Sequence, residues 1–182
     1  NELLTKSIHA DLECIDCHAT TEDHPGEELP EPTCANCHDD AAEEYAESIH
    51  GKAHHLGNLI AATCWDCHGS HDIVPHTNEH NKQMMENCGE CHSKPQVMER
   101  FGRRGLDPVR SFKESIHGKI FMDDPAAPVA NCVVCHGSHS IKASIEPDAN
   151  LNKLNIPKTC GQCHQAEEEE YYQKEGHNTR DQ

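Results

Sequence analysis

All twelve cysteines of this 182-residue chain fall into six units of one spacing, Cys-x-x-Cys-His. The units are Cys14-x-x-Cys17-His18, Cys34-x-x-Cys37-His38, Cys64-x-x-Cys67-His68, Cys88-x-x-Cys91-His92, Cys132-x-x-Cys135-His136 and Cys160-x-x-Cys163-His164. No cysteine is left over for a disulfide framework. Zinc knuckles and thioredoxin-like redox pairs also use paired cysteines, yet none of these uses requires a histidine directly after the second thiol. With 17 His in the chain, six out of six by chance has a probability on the order of one in a million.

The spacing has a chemical reason. On a helical turn, residues i and i+3 share a face, so both thiols of a unit reach the two vinyl groups of one porphyrin edge. The histidine that follows then meets the iron as proximal ligand. The expectation is six covalently attached haem c groups, with His18, His38, His68, His92, His136 and His164 as proximal ligands.

Composition points the same way. Only 35% of residues are hydrophobic and 4% aromatic, which by itself leans towards disorder. Metal ligation and porphyrin burial must therefore stand in for the missing apolar core. The net charge of −17 disfavours a nucleic-acid partner and favours basic or cationic-faced ones. No stretch approaches the roughly 20 apolar residues that cross a bilayer. The chain begins at Asn1 rather than Met, and reads as a mature exported product. Haem attachment takes place after export, so the expected location is periplasmic or extracellular.

A second repeat underlies the first. Ser48-Ile49-His50-Gly51-Lys52 recurs as Ser115-Ile116-His117-Gly118-Lys119, and Ser7-Ile8-His9 opens the chain. Cys64 to Ile73 reads CWDCHGSHDI and Cys132 to Ile141 reads CVVCHGSHSI, placing His71 and His139 three residues after a proximal histidine. In the first repeat the nearest equivalent is His24. These landmarks divide the chain into dihaem modules at 1–44, 45–110 and 111–182. The expected fold is mostly irregular with short α-helices and almost no β, organised around six stacked haems in three tandem modules. Residues 41–55 read as one helix carrying His50, residues 165–175 as another leading to His177, and 147–157 as a loop.

The distal ligands are constrained by reach. His71 lies three residues from His68, at most about 10 Å of chain, too short to round its own macrocycle. It must serve another haem, as must His139. The simplest register assigns His9, His50 and His117 to the first, third and fifth haems, and His24, His71 and His139 to the second, fourth and sixth. His177 is then spare. In the alternative register the histidines of the His50 type serve the preceding haem and His9 is spare. His54, His55, His76 and His80 read as solvated, Met84 and Met85 as packing filler. Lys94, Arg100, Arg103, Arg104 and Arg110 form a basic stretch facing haem propionates or acidic neighbours.

The pattern of an aromatic residue, SIHGK, CxxCHGSHxI and then TCGxCH resembles the multihaem c-type cytochromes of metal-reducing and related anaerobic bacteria and archaea. It runs through Ser111 to Lys119, Cys132 to Ile141 and Thr159 to His164, and covers nearly the whole chain apart from Ala19 to His24. The resemblance implies bis-histidine haems in alternating parallel and T-shaped pairs, with electron transfer as the activity. Redox proteins or an extracellular mineral would be the partners. Some members of the family polymerise into extracellular filaments and others shuttle in the periplasm; a homopolymer with a terminal histidine ligating in trans is one expectation. A nitrogen-oxide or hydroxylamine-converting enzyme would need an open haem, often marked by CxxCK, which the chain lacks.

Overall fold

The computed structural model describes residues 2–18, 32–75 and 77–174. The described residues form eleven α-helices and two short 3-10 turns, with no strand. In chain order the helices are α1 (Cys14–Cys17), α2 (Asp39–Ala46), α3 (Ile49–His55), α4 (Cys64–His68), α5 (Asn78–His92), α6 (Pro95–Arg100), α7 (Pro108–Glu114), α8 (Ile116–Asp123), α9 (Cys132–His136), α10 (Ile156–Gly161) and α11 (Gln165–Lys174). Packing is mostly between sequence neighbours: α2 on α3, α4 on α5, α5 on α6 and α7, α7 on α8, and α10 on α11.

The helix expected over 41–55 is two helices, broken at Glu47 and Ser48. Ser48 takes an extended conformation and caps α3, its hydroxyl accepting from the Gly51 N–H at 2.9 Å, while its own N–H donates to the Tyr45 carbonyl. A capping serine ends one helix and starts the next more cheaply than a continuous helix could hold it. The same device recurs where Ser115 separates α7 from α8 and accepts from Gly118. The glycine of the SIHGK motif is explained here. A β-carbon at Gly51 would overlap the Tyr45 carbonyl, and one at Gly118 the Phe112 carbonyl. Gly118→Ala should therefore cost about 2 kcal/mol or more through forced separation of α7 and α8, read as a lowered Tm.

The region 147–157 is loop and turn up to α10, which begins at Ile156 with Pro157 in its first turn. Side-chain amides hold it together. Asn152 donates to the carbonyls of Ser144 and Glu146, and Asn155 to those of Pro147 and Ala149.

Little of the chain is buried. Among the described residues the buried apolar side chains are Ala61, Met85, Met98, Phe121 and Ala149. Leu56, Leu59, Ile145 and Leu154 are each more than three-quarters exposed. The polypeptide exposes 13290 Å², against about 8,800 Å² for a compact monomer of its mass. It is an open frame rather than a core. No helix of the described residues is long and apolar enough to cross a membrane.

Candidate haem sites

Three attachment units are single turns, α1, α4 and α9, whose start and stop are written locally, while those at Cys88 and Cys160 sit at the C-terminal ends of α5 and α10. In α1 the Asp16 carboxylate accepts from the Glu13 N–H at 2.8 Å, and in α4 the Asp66 carboxylate accepts from both the N–H and the hydroxyl of Thr63 at 2.7 Å. The Asn131 side chain caps α9 by accepting from Val134 N–H. Gly69 and Gly137 then end α4 and α9 with φ of +78° and +87°. Such values cost a residue with a β-carbon about 1 kcal/mol or more, and a β-carbon at Gly69 would also crowd the Asp72 carboxylate. Gly69→Ala should thus lower Tm by several degrees and loosen the turn that presents His68.

The histidines come together in pairs. Ring centroids lie 6.0–6.1 Å apart for His9 with His38, His18 with His71, His50 with His92, His68 with His139, and His117 with His164. An imidazole bound to a transition metal has a metal–nitrogen bond of about 2.0 Å, and adding about 1.1 Å to the ring centre on each side puts two opposed rings about 6.2 Å apart. The pairs thus have the separation that one iron between two imidazoles requires. Burial lowers the basicity of His50, His92 and His136, with neighbouring His92 adding to the effect on His50 and His136; neutral imidazole is the form that ligates. His18 Nδ1 is buried without a hydrogen bond. Among the described residues no three His, Cys, Asp or Glu converge as a metal cage, whereas structural zinc needs four protein ligands. Two axial imidazoles with a porphyrin supplying the equatorial ligands fit this donor set.

The pairing follows neither expected register. His9, His50 and His117 sit opposite the second proximal histidine of their own segments, not the first. His71 and His139 reach back to the first proximal histidine of the segment before. The reason is a backbone contact between segments. The Ile8 N–H donates to the Ile73 carbonyl at 2.9 Å, and the Ile49 N–H to the Ile141 carbonyl at 2.8 Å. Each bond joins an SIH motif to the GSHxI loop of the following segment, and so joins the two histidines that face one consecutive pair of attachment units. His24 and His177 lie outside the described residues. Among those described, His136 faces no second imidazole. Of the histidines expected to be solvated, His55 is exposed and His54 half-buried, but His80 is 3% exposed and 6.0 Å from His68. His76 lies outside the described residues. Met85 is buried as packing requires, and in the basic stretch Arg104 and Arg110 pair with Glu99 and Asp107.

The cysteines form a sequence in space as well as in the chain. None of the twelve is in a disulfide. Thiols of consecutive units lie close enough to shift each other's titration at Cys34 with Cys64 and at Cys88 with Cys132. The remaining consecutive units meet electrostatically, Cys17 with Cys34, Cys67 with Cys88, and Cys135 with Cys160. In the unattached chain, burial and the Cys88 charge push the Cys67 thiol up to about 11, while the neighbouring Cys132 thiol draws Cys88 down. Attachment as thioethers removes both titrations.

Residues 7–93, just under half of the chain, match the family model described as Cytochrome c3. The chain is also 25% identical over 176 residues to the multiheme cytochrome MtrA of Shewanella baltica, covering 88% of this chain and 44% of that relative. It therefore spans less than half the length of the relative it matches. No solved structure matches it. The attachment turns, the helical frame of the described residues and the two matches agree: the chain is similar to the multihaem c-type cytochromes.

Proposed function

We propose that this chain conducts electrons along six covalently attached, mostly bis-histidine haems, taken in the order of the sequence, at an exported location. The observation that carries the reading is the succession of attachment units, each with a thiol beside a thiol of the next. Haem iron supplies a one-electron ferric/ferrous couple. The residues of the chain do the rest. Twelve thioethers would fix six porphyrins in succession, and electron tunnelling falls exponentially with the gap between neighbours. The paired imidazoles would hold five of the six irons from both sides in either oxidation state, so that little rearrangement would accompany a transfer. Two nitrogen ligands and an open, solvated frame place the potentials on the negative side of those of Met-ligated haems. The three segments 1–44, 45–110 and 111–182 act as dihaem modules, with redox proteins or an extracellular acceptor at the ends.

Two measurements test this together. Intact mass should exceed the 20.3 kDa polypeptide by six haems, about 3.7 kDa, and reductive titration should take up six electrons per chain. Bound zinc, or a smaller increment, would remove the basis of the reading.

A second reading, that the chain is the subunit of a filament, is favoured by His136. A histidine donated from one copy to this haem in the next is a heterologous contact, and such contacts propagate when the rotation does not close. His9 faces His38 within the chain, which leaves His177 as the terminal donor. Electron microscopy of native protein should show filaments, and His177→Ala should reduce them to discrete particles with one high-spin haem. Discrete particles that bind carbon monoxide at one haem in the native state would favour an enzyme with an open iron instead.

A further inference from the structure

His80 lies outside both sequence repeats, yet it is more deeply buried than any of the described repeat histidines. It sits in the first turn of α5, where its N–H donates to the capping Thr77 hydroxyl. Its ring centre is 6.0 Å from that of His68, with the two planes 11° apart. That is the same separation as the five repeat-related pairs. His68 therefore has two imidazoles at ligand-pair distance, His80 and His139. Among the described residues His18 is paired with His71 alone.

We infer that His80 is a reserve axial ligand for the third haem, taking the iron when His139 leaves it. The inference rests on the haem reading above. The two candidates differ in how they are held. His139 is carried by the loop after α9, its side chain is 39% exposed, and its Nδ1 lies 3.7 Å from the Glu44 carboxylate. His80 is carried by a 15-residue helix that also bears Cys88, Cys91 and His92. A loop residue moves more readily than one in a packed helix. His139 comes from the segment after the one it ligates, so any opening between segments 45–110 and 111–182 withdraws it. His80 belongs to the same segment as His68 and remains. In the exchange one iron–nitrogen bond breaks and another forms, with no change in oxidation state. The electron path then stays six-coordinate where it crosses between segments.

Electron paramagnetic resonance and carbon monoxide binding on the haem-loaded protein test this. His71→Ala should convert one haem in six to a high-spin, carbon monoxide-binding form. His139→Ala should add no high-spin haem to what the parent protein shows, and neither should His80→Phe, which fills the same space without a donor. The double variant His139→Ala with His80→Phe should again show one high-spin haem. Should His139→Ala not accumulate, His139→Leu serves in its place. A high-spin haem in His139→Ala as large as that in His71→Ala would overturn the inference. So would a high-spin haem in His80→Phe alone, which would make His80 the resident ligand. Intact mass of each variant separates these outcomes from failure of the underlying reading, because fewer than six haems in the parent protein would count against that reading and not against His80.

Discussion

Made without haem attachment, the polypeptide should show no cooperative thermal transition, and its far-ultraviolet circular dichroism should lose about half or more of the helical signal of the loaded protein. The expectation follows from the lengths of the helices. Apart from the 15 residues of α5, no described helix exceeds the 10 of α11, and four of the others have 6 residues or fewer besides the four of α1. Isolated helices below about 12–15 residues are marginal in water, so these depend on what they pack against. The chain offers them little. Ordering a residue costs about 1–2 kcal/mol in backbone entropy, and among the described residues the buried apolar side chains are two alanines, two methionines and a phenylalanine. Apolar groups at the attachment turns themselves, Ile15 and Val134, are 56% and 40% exposed. Porphyrin faces would cover such side chains, and iron–imidazole bonds would close the long loops between segments. A sharp melting transition in the haem-free chain would show that capping and backbone contacts suffice without them.

The second large effect concerns which iron a histidine serves. His50→Ala should open the fourth haem, attached at Cys88 and Cys91, because His50 faces His92 at 6.1 Å. One haem in six should turn high-spin and bind carbon monoxide. The assignment is read by removing attachment sites in that background. Cys88→Ala with Cys91→Ala should abolish the new high-spin signal, whereas Cys64→Ala with Cys67→Ala should leave it in place. The opposite pattern would restore the register in which His50 serves the third haem. The equivalent change at His117 should open the haem of His164, and His9→Ala that of His38.

The backbone bonds between Ile8 and Ile73 and between Ile49 and Ile141 explain why this register could not be read in advance. Sequence spacing bounds how far a histidine can reach. It rules out His71 for the haem beside it, but it does not say which of several distant segments docks on which. That choice is made by an N–H and a carbonyl, groups every residue carries. His80 was illegible for a related reason. It belongs to no repeat and looks like one polar residue among many in Asn78–Asn81, and only the placement of α5 against α4 buries it.

What the sequence determined by itself was the chemistry. Two thiols three residues apart and a histidine directly after them carry out a local task, and one helical turn is enough to arrange it. For the same reason the caps at Asp16, Asp66 and Asn131 and the stops at Gly69 and Gly137 were within reach of local rules. The SIHGK motif was visible as a repeat, but its glycine acquires a meaning only where α3 crosses α2 and α8 crosses α7. Tertiary structure alone decided the partners: which imidazole faces which, that consecutive attachment units are neighbours in space, and that His136 is left facing none among the described residues. Those are contacts between residues tens of positions apart, set by how the segments dock, and no local spacing encodes them.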